Sequence, residues 1–379
     1  MVTSGHTLRV GMVGYAFMGA AHSQAWRTVG RVFDLPLQVE MVAVAGRDAA
    51  AVARAANRLG WQEHTTDWRD LVGRDDIDLV DVCTPGDTHA EISIAALQAG
   101  KHVLCEKPLA NSVAEAEAMV AAADTARQTG VRAMCGFNYR RVPAMTHLRN
   151  LIAAGRLGTI RHVRAAYLQD WLADANAPMV WRLDRQQAGS GAIGDIGAHI
   201  VDLTQFVTGQ DILGVSALTH TFVHQRPLTR GSTEMGDVTV DDAVLFHARL
   251  SGGAIASYEA TRFATGRRNA LRLEVNGSLG SVAFDLERLD ELEFYDASAP
   301  ATEQGFTRIL VTEPQHPYMS AWWPPGHIIG YEHTFTHEVR DLVEAIATGK
   351  DPSPSFADAL QVQRVLAALA TPGELTPIG

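Results

Sequence analysis

Apolar runs alternate with amphipathic helical patterns along the first third of the chain. The helical patterns end at glycines, and capping boxes are predicted at Thr88 to Glu91 and at Ser112 to Glu115. The apolar runs predict strands at residues 8–13, 39–45, 78–83, 101–105 and 131–137. Strands separated by helices of this length predict a doubly wound parallel sheet, with ligands bound beyond the carboxyl ends of the strands.

The pattern changes after about residue 140. Helices are predicted near residues 143–154 and 191–208, and a further helical pattern covers residues 331–347. Alternating, β-branched segments between residues 159 and 285 predict an open, mostly antiparallel sheet with one face covered by helices. The fold class is therefore α/β plus α+β, with a first domain at residues 1–136 and a second at residues 137–379.

Composition and charge narrow the class of protein. The 379 residues carry a formal net charge of −11, which argues against nucleic acid or an anionic membrane as the main partner. No stretch has the length and apolarity of a transmembrane helix, and residues 1–7 lack the apolar core of a signal peptide. The three cysteines are widely spaced, which predicts buried, reduced thiols in a cytoplasmic protein rather than a metal site.

A glycine-containing turn follows the first predicted strand. Gly14 suits the tight turn and Gly19 suits a close contact of helix and strand, while Ala16 stands where a dinucleotide site usually has glycine. Phe17 and Met18 complete the turn. A glycine turn occurs in many α/β folds, but its place directly after the first strand favours a dinucleotide site.

The residues at the end of the second predicted strand help to distinguish an NAD site from an NADP site. NAD sites usually carry an acid there for the ribose 2′-hydroxyl, but the sequence has Gly46 followed by Arg47 and Asp48. Arg47 suits a 2′-phosphate, and Asp48 either binds the ribose or caps the next helix. The cofactor is NAD or NADP, with a slight preference for NADP.

Lys107 follows the predicted strand at residues 101–105, at the cofactor edge of the sheet. A lysine there can hydrogen-bond a substrate hydroxyl and stabilise alkoxide charge. The alternative is a solvated surface lysine.

Asp195 and His199 lie four residues apart in a glycine-rich, apolar segment, on one face of the predicted helix. Histidine titrates near neutrality and can accept a proton from an alcohol as hydride departs. Asp195 would orient the substrate or stabilise an imidazolium. Asp202, one turn further, either hydrogen-bonds His199 or is structural. An isolated Asp/His pair is usually structural, but the glycines favour a functional pair.

These residues resemble the glucose–fructose oxidoreductase/inositol dehydrogenase/rhizopine-catabolism (Gfo/Idh/MocA) family over nearly the whole chain. The matching motifs are Met18-Gly19 with His22, Cys83-Thr84-Pro85 with His89, Glu106-Lys107-Pro108, and Gly194-Asp195-Ile196-Gly197-Ala198-His199. The resemblance implies a Rossmann domain, a C-terminal domain for substrate binding and assembly, and nicotinamide-dependent sugar or polyol chemistry. It also implies a homodimer or homotetramer.

The resemblance assigns roles to individual residues. It implies that Lys107, Asp195 and His199 are catalytic. With the glycine turn, it implies a cofactor site made of Gly14, Ala16, Phe17, Met18, Gly19, Arg47, Thr84, Pro85, His89, Glu106 and Lys107.

A narrower resemblance is to the levoglucosan dehydrogenase-like subgroup of this family. It includes the residues that we expect to bind substrate, Tyr139, Arg140, Gln169, Trp171 and Trp181, together with Asp195 and His199. Aromatic rings stack on the C–H faces of a pyranose, while amide and guanidinium groups bind its hydroxyls. Any one tryptophan can instead be a core residue. Tyr331 is predicted to contact the substrate or a loop.

The sequence therefore predicts an NAD(P)-dependent oxidoreductase that transfers hydride between a secondary alcohol of a sugar, anhydrosugar or cyclitol and nicotinamide. Two alternatives are an NAD-dependent glycosidase using transient oxidation and a non-catalytic sugar or dinucleotide sensor. A reductase of keto-sugars uses the same site in reverse. His333 and His337 with Glu338 lack the metalloprotease order, so no metal is predicted.

Overall fold

The computed structural model describes residues 7–370 and 376–378 and divides into two compact units. The first unit contains the chain up to residue 141 together with residues 329–360. The second contains residues 142–328 and the chain from residue 361 onward. The helix of residues 331–348 therefore belongs to the same unit as the glycine turn.

A six-stranded parallel sheet forms the centre of the first unit, as the sequence predicts. Its strands are β1 (Thr7–Val13), β2 (Gln38–Ala45), β3 (Glu63–Thr65), β4 (Leu79–Val82), β5 (His102–Glu106) and β6 (Ala133–Gly136). Its helices are α1 (Phe17–Val32), α2 (Ala49–Leu59), α3 (Trp68–Val72), α4 (His89–Gln98) and α5 (Val113–Arg127). The strand order β3-β2-β1-β4-β5-β6 reverses between β1 and β4, so a ligand crevice is expected where those strands end.

Helix caps in this unit differ in one place from the sequence prediction. Ser112 and Glu115 form the predicted capping box of α5. The capping box predicted at Thr88 is wrong, because the Thr88 side chain makes no capping bond to α4. Its hydroxyl lies 2.9 Å from the Pro85 carbonyl oxygen and 2.7 Å from the Thr84 hydroxyl, within a short 3₁₀ turn.

The second unit is built on a nine-stranded sheet. Its elements begin with α6 (Pro143–Ala153), β7 (Ile160–Leu168), α7 (Arg185–Ala188), α8 (Ala198–Thr208), β8 (Ile212–His220), β9 (Gln225–Pro227) and β10 (Met235–Asp237). They continue with β11 (Ala243–Leu250), β12 (Ile255–Thr261), β13 (Ala270–Gly277), β14 (Gly280–Asp285), β15 (Glu291–Asp296) and β16 (Thr307–Leu310). The last elements of the chain are α9 (Tyr331–Thr348) in the first unit, then α10 (Phe356–Leu369) and β17 (Thr376–Pro377).

This sheet is mostly antiparallel, as predicted, in the order β16-β15-β14-β13-β7-β12-β11-β8-β17. Strands β7 and β12 run parallel. Helices α6 and α8 pack against one face. The opposite face exposes apolar side chains such as Leu218 and Leu245, which lie opposite each other on β8 and β11. Assembly through this face stays a prediction. No described helix has both the length and the apolarity needed to cross a lipid bilayer.

The core of the first unit joins the sheet to helices α1 and α9. Trp26 of α1 and Phe335 of α9 are both almost completely buried against strand residues such as Met12 and Leu104. A long aromatic side chain from each helix therefore anchors it on the sheet, and burial of such apolar area is the main stabilising term. The position of α1 matters for function, because its first residues form the glycine turn.

Alanine substitutions at two glycines of α1 should have opposite effects on the free energy of unfolding. A Cβ at Gly19 would overlap the carbonyl oxygen of Gly14, whereas a Cβ at Gly30 would lie 4.0 Å from its nearest neighbour. We expect Gly19→Ala to destabilise the fold by roughly 1–3 kcal/mol through overpacking. The matched control Gly30→Ala should stabilise it by about 0.5–1 kcal/mol, because alanine loses less backbone entropy in a helix. Urea unfolding of both variants measures this, and a stable Gly19→Ala protein would contradict the packing described.

Candidate active site

The glycine turn brings main chain from three segments into close approach. Gly14 has a φ of +99°, and a Cβ there would lie 2.6 Å from the Cys83 carbonyl oxygen. Ala16 and Phe17 are exposed, and Ala16 makes no side-chain cap to α1. A helix N-terminus whose first amides have no side-chain cap, next to a glycine turn, is suited to bind a pyrophosphate.

At the end of β2, Gly46 stands at the position where NAD sites usually have an acidic residue for the ribose. The Tyr15 ring occupies the space where a Gly46 side chain would stand. Asp48 caps α2, its Oδ1 accepting a hydrogen bond from the Ala51 amide at 2.8 Å, as one of its two predicted roles requires. Arg47 is exposed and lies near enough to Asp87 to affect its pKa. Arg47 is therefore the cation available beside this strand end.

The loop after β4 is connected to Pro108 through His89. The His89 Nδ1 lies 2.9 Å from the Pro108 carbonyl oxygen, and its Nε2 lies 2.9 Å from that of Thr84. Burial by itself lowers the pKa of His89, but the Cys105 sulfur and the two carbonyl oxygens outweigh it and raise the pKa to about 9. A protonated His89 with two N–H donors satisfies both carbonyl groups.

Lys107 follows the last residue of β5 and is partly buried. Its amide donates to the carboxylate of Glu106 at 3.1 Å, and the peptide bond to Pro108 is cis. The Glu106 side chain is buried and also contacts His22. The main chain that carries Lys107 is therefore held by a side chain inside the unit.

Three aromatic side chains predicted for the site cluster in the first unit. Phe17 stacks on Tyr331 with ring centroids 6.3 Å apart, and Tyr139 meets the edge of Tyr331 at 6.2 Å. Burial raises the pKa of Tyr331 above its usual value. Arg140 is buried, with its Nη1 3.1 Å from the Ser353 hydroxyl. Phe17 is 66% exposed, so the cluster reaches solvent beside the glycine turn.

In the second unit, Asp195 lies in a π-helical turn rather than in a regular α-helix. This turn covers Ile193–Gly197 and leads directly into α8, so the regular helix predicted over residues 191–208 is wrong in its first part. The Asp241 carboxylate accepts bonds from the amides of Gly191 at 2.7 Å and Ile193 at 2.8 Å. A side chain at Gly191 would overlap the Asp241 carbonyl oxygen. The glycine and the buried acid together shape the turn, and π-turns are frequent at functional sites.

The Asp195 carboxylate faces two guanidinium groups. Arg262 Nη1 lies 3.5 Å from Oδ2 and Arg182 Nε lies 3.7 Å from Oδ1. The Arg262 side chain is completely buried, whereas that of Asp195 is 21% exposed. These cations favour an ionised carboxylate that accepts hydrogen bonds. His199 is buried in the first turn of α8, with its ring edge-on to Tyr167 at 5.8 Å.

The remaining predicted substrate residues of this unit contact polar partners. The amide of Gln169 and the hydroxyl of Tyr167 both donate to Asn269 Oδ1, at 2.8 and 2.7 Å. Trp171 lies over Arg262 at 5.6 Å. Trp181 stacks on Arg182 at 4.4 Å. Trp171 is 41% exposed and Trp181 is half-buried, so neither is a simple core residue.

The predicted residues thus fall into two groups. The glycine turn, Thr84, Pro85, His89, Glu106 and Lys107 share one edge of the first sheet, while Asp195 and His199 lie together in the second unit. Convergence of Lys107 with the Asp195/His199 pair stays a prediction. Sequence reasoning missed Asp241, Arg262 and Asn269, because each acts through contacts distant in sequence.

Comparison with known proteins gives the family. Residues 8–137 match the oxidoreductase family with an NAD-binding Rossmann fold, and residues 145–283 match the GFO/IDH/MocA C-terminal domain. The chain belongs to the Gfo/Idh/MocA family of oxidoreductases, and is an NAD(P)-dependent enzyme of the class that contains sugar and polyol dehydrogenases.

Three relatives illustrate the similarity. Levoglucosan dehydrogenase of Pseudarthrobacter phenanthrenivorans is 42% identical over 94% of this chain and 93% of its own. The crystal structure of an oxidoreductase domain protein from Kribbella flavida is 62% identical, with a TM-score of 0.96 over 99% of this chain and all of that one. A levoglucosan dehydrogenase in complex with NADH and levoglucosan is 40% identical, with a TM-score of 0.93 over 98% of this chain and all of its own.

The Asp241 carboxylate generates a prediction about the π-turn. Asp241→Ala leaves two buried amides without acceptors, so we expect a loss of roughly 2–4 kcal/mol in the free energy of unfolding. The matched variant Asp184→Ala removes the side-chain cap of α7. In this cap, the Asp184 carboxylate accepts a solvent-exposed hydrogen bond from the Gln186 amide. It should cost about 1 kcal/mol. Equal losses in chemical denaturation would contradict the special role of Asp241.

Proposed function

We propose that this chain oxidises a secondary alcohol of a sugar, anhydrosugar or cyclitol, with Lys107, Asp195 and His199 as its catalytic residues. The observation that supports it most is an Asp195 carboxylate flanked by two arginines in a glycine-rich π-turn, with His199 in the helix turn that follows directly. Similarity to levoglucosan dehydrogenase supports an anhydrosugar or related pyranose as the substrate class.

The residues of the first unit fit a dinucleotide. Gly14 allows the turn to approach the main chain of Cys83 closely, and the amides at the start of α1 provide donors for a phosphate. Thr84, Pro85 and His89 would line the adjoining strand end, with Phe17 and Met18 beside the turn. The bound dinucleotide supplies a nicotinamide ring that accepts the hydride.

His199 acts as the general base. It accepts the proton of the substrate hydroxyl as the C–H bond of the same carbon breaks. Its buried position beside Tyr167 keeps bulk water from the ring. A neutral imidazole is the species that can take this proton, so activity requires His199 to be deprotonated in the free enzyme.

Lys107 and Asp195 hold the reacting group. The Lys107 ammonium donates to the substrate oxygen and stabilises the negative charge that develops there. The Asp195 carboxylate accepts a hydrogen bond from a substrate hydroxyl or from the His199 ring, and Arg182 and Arg262 keep it ionised.

A carbohydrate suits the polar and aromatic groups around this pair. Trp171 and Trp181 offer ring faces for C–H groups, and Gln169 with its partner Asn269 offers amide groups for hydroxyls. Tyr139, Arg140 and Tyr331, which lie in the first unit, remain proposed substrate residues.

The catalytic assignment is tested with two substitutions. We expect Lys107→Met and His199→Asn each to lower kcat by about 10²–10⁴-fold, because each removes a group that acts on the transition state. The assay follows nicotinamide absorbance on a panel of sugars, anhydrosugars and inositols.

The matched control is Lys101→Met, at the opposite end of the strand that precedes Lys107, where the ammonium binds the Arg74 carbonyl oxygen. It should keep kcat within about threefold of the unchanged enzyme. The assignment would be wrong if Lys107→Met and His199→Asn both kept full activity, or if only the Lys101→Met control lost activity.

We further propose that NADP is accepted at least as well as NAD, because Arg47 is exposed at the strand end where an acid is absent. Arg47→Ala should then raise KM for NADP by about tenfold and leave KM for NAD unchanged, since only NADP carries the 2′-phosphate. Arg58→Ala, near the far end of α2, is the control. A strong preference of the unchanged enzyme for NAD would show that the proposal is wrong.

A further inference from the structure

A fully buried charged cluster lies beneath the Lys107 loop, within the first unit. It consists of His22 from α1, Asp81 from β4 and Glu106 from β5, with 1%, 0% and 4% of their surfaces exposed. Three charged side chains without water are costly to bury unless they pair with one another. The catalytic scheme above uses none of their protons, so the cluster needs its own explanation.

Both ring nitrogens of His22 face carboxylates. Nδ1 lies 3.0 Å from each oxygen of Asp81, and Nε2 lies 2.9 Å from Glu106 Oε1. A ring that contacts a carboxyl group through each of its two nitrogens is best satisfied as an imidazolium, whose two N–H groups both donate. Burial lowers the pKa of His22, but Asp81 and Cys83 outweigh it, and the pKa is raised well above its usual value.

Asp81 is held by two further donors. The Trp26 indole N–H lies 2.7 Å from Oδ2, and the Cys83 thiol lies 3.4 Å from Oδ1. Glu338 of α9 faces the same cluster, and burial raises its pKa to about 8. It is therefore mainly neutral at neutral pH and adds no third negative charge. One imidazolium thus stands between two carboxylates.

Glu106 connects the cluster to the main chain of Lys107. Its Oε1 faces His22, while its Oε2 accepts the Lys107 amide at 3.1 Å. The Pro108 carbonyl oxygen is held in turn by His89 at 2.9 Å. The main chain on both sides of the Lys107 side chain is therefore fixed by buried charged or polar groups.

We propose that His22 is a positioning residue, which fixes the Glu106 carboxylate and through it the direction of Lys107. The inference rests on the proposed function, because it assumes that Lys107 acts on the substrate oxygen. A displacement of about 1 Å at a reacting group can cost 10²-fold in rate, so the locked carboxylate has a direct effect on turnover.

The first test is the protonation of His22 in the unchanged enzyme. In ¹⁵N-histidine-labelled protein, assigned by comparison with His22→Gln, both His22 nitrogens should carry protons at neutral pH. His337 is the internal reference, because it is buried in the same unit and burial lowers its pKa to about 3. A neutral His22 ring would overturn the proposal. The protonation itself is read from the unchanged enzyme, and the His22→Gln variant serves only to assign the two signals.

The second test separates positioning from stability. We expect His22→Gln to lower kcat per folded enzyme by about 10–100-fold, while the Kd for NADH changes by less than about threefold. The control His337→Gln should lower Tm without lowering kcat. The double variant His22→Gln/Glu106→Gln restores the charge balance and should regain part of the lost kcat.

Three results would contradict this positioning role. One is a His22→Gln enzyme with a lower Tm but an unchanged kcat, and another is a double variant with a lower kcat than His22→Gln. The third is a stoichiometric metal ion that disappears with His22, since His22, Asp81 and Cys83 also have the spacing of metal ligands. Failure of the proposed function is distinguishable, because Lys107→Met would then remain active whatever His22 does.

Discussion

The contact of α1 with the ends of β1, β4 and β5 is polar and buried, and the geometry of the first unit depends on it. Gly19 lets the helix touch the Gly14 carbonyl group, and one turn later His22 enters a pocket of two carboxylates. Unpaired charges at such a depth are strongly unfavourable, so the three elements have little freedom to shift. The same contact sets the positions of the glycine turn and of the loop that carries Lys107.

In the second unit, buried charged groups likewise surround Asp195. A buried acid, Asp241, satisfies the amides of the π-turn, and a buried guanidinium, Arg262, faces the Asp195 carboxylate. Arg262 also donates to the Asp241 carbonyl oxygen at 3.0 Å. Each functional side chain is thus oriented by a charged group with almost no exposure. Preorganisation of this kind reduces the reorganisation that a reaction would otherwise require.

The predicted and observed features differ in a consistent way. The parallel sheet, the capping box of Ser112 and the antiparallel second sheet were predictable, because each depends on local periodicity or on one short motif. The strands β3, β9, β10 and β16, of three or four residues each, were not predicted, since so few residues carry little periodic signal. The six-residue strand β15 was not predicted either. Asp81 had one visible signal, an acid inside the apolar strand Leu79–Val82, but its partners on α1 and β5 are distant in sequence.

The sequence by itself determined the class of fold and the glycine turn, because glycines, caps and apolar spacing act over a few residues. Its motifs also made Lys107, Asp195 and His199 candidates, through their resemblance to the family. Only the tertiary structure decided that α9 joins the first unit, that Asp195 sits in a π-turn, and that His22 is enclosed by two carboxylates. The physical reason is that burial and charge pairing depend on which distant segments meet, and local sequence does not encode those neighbours.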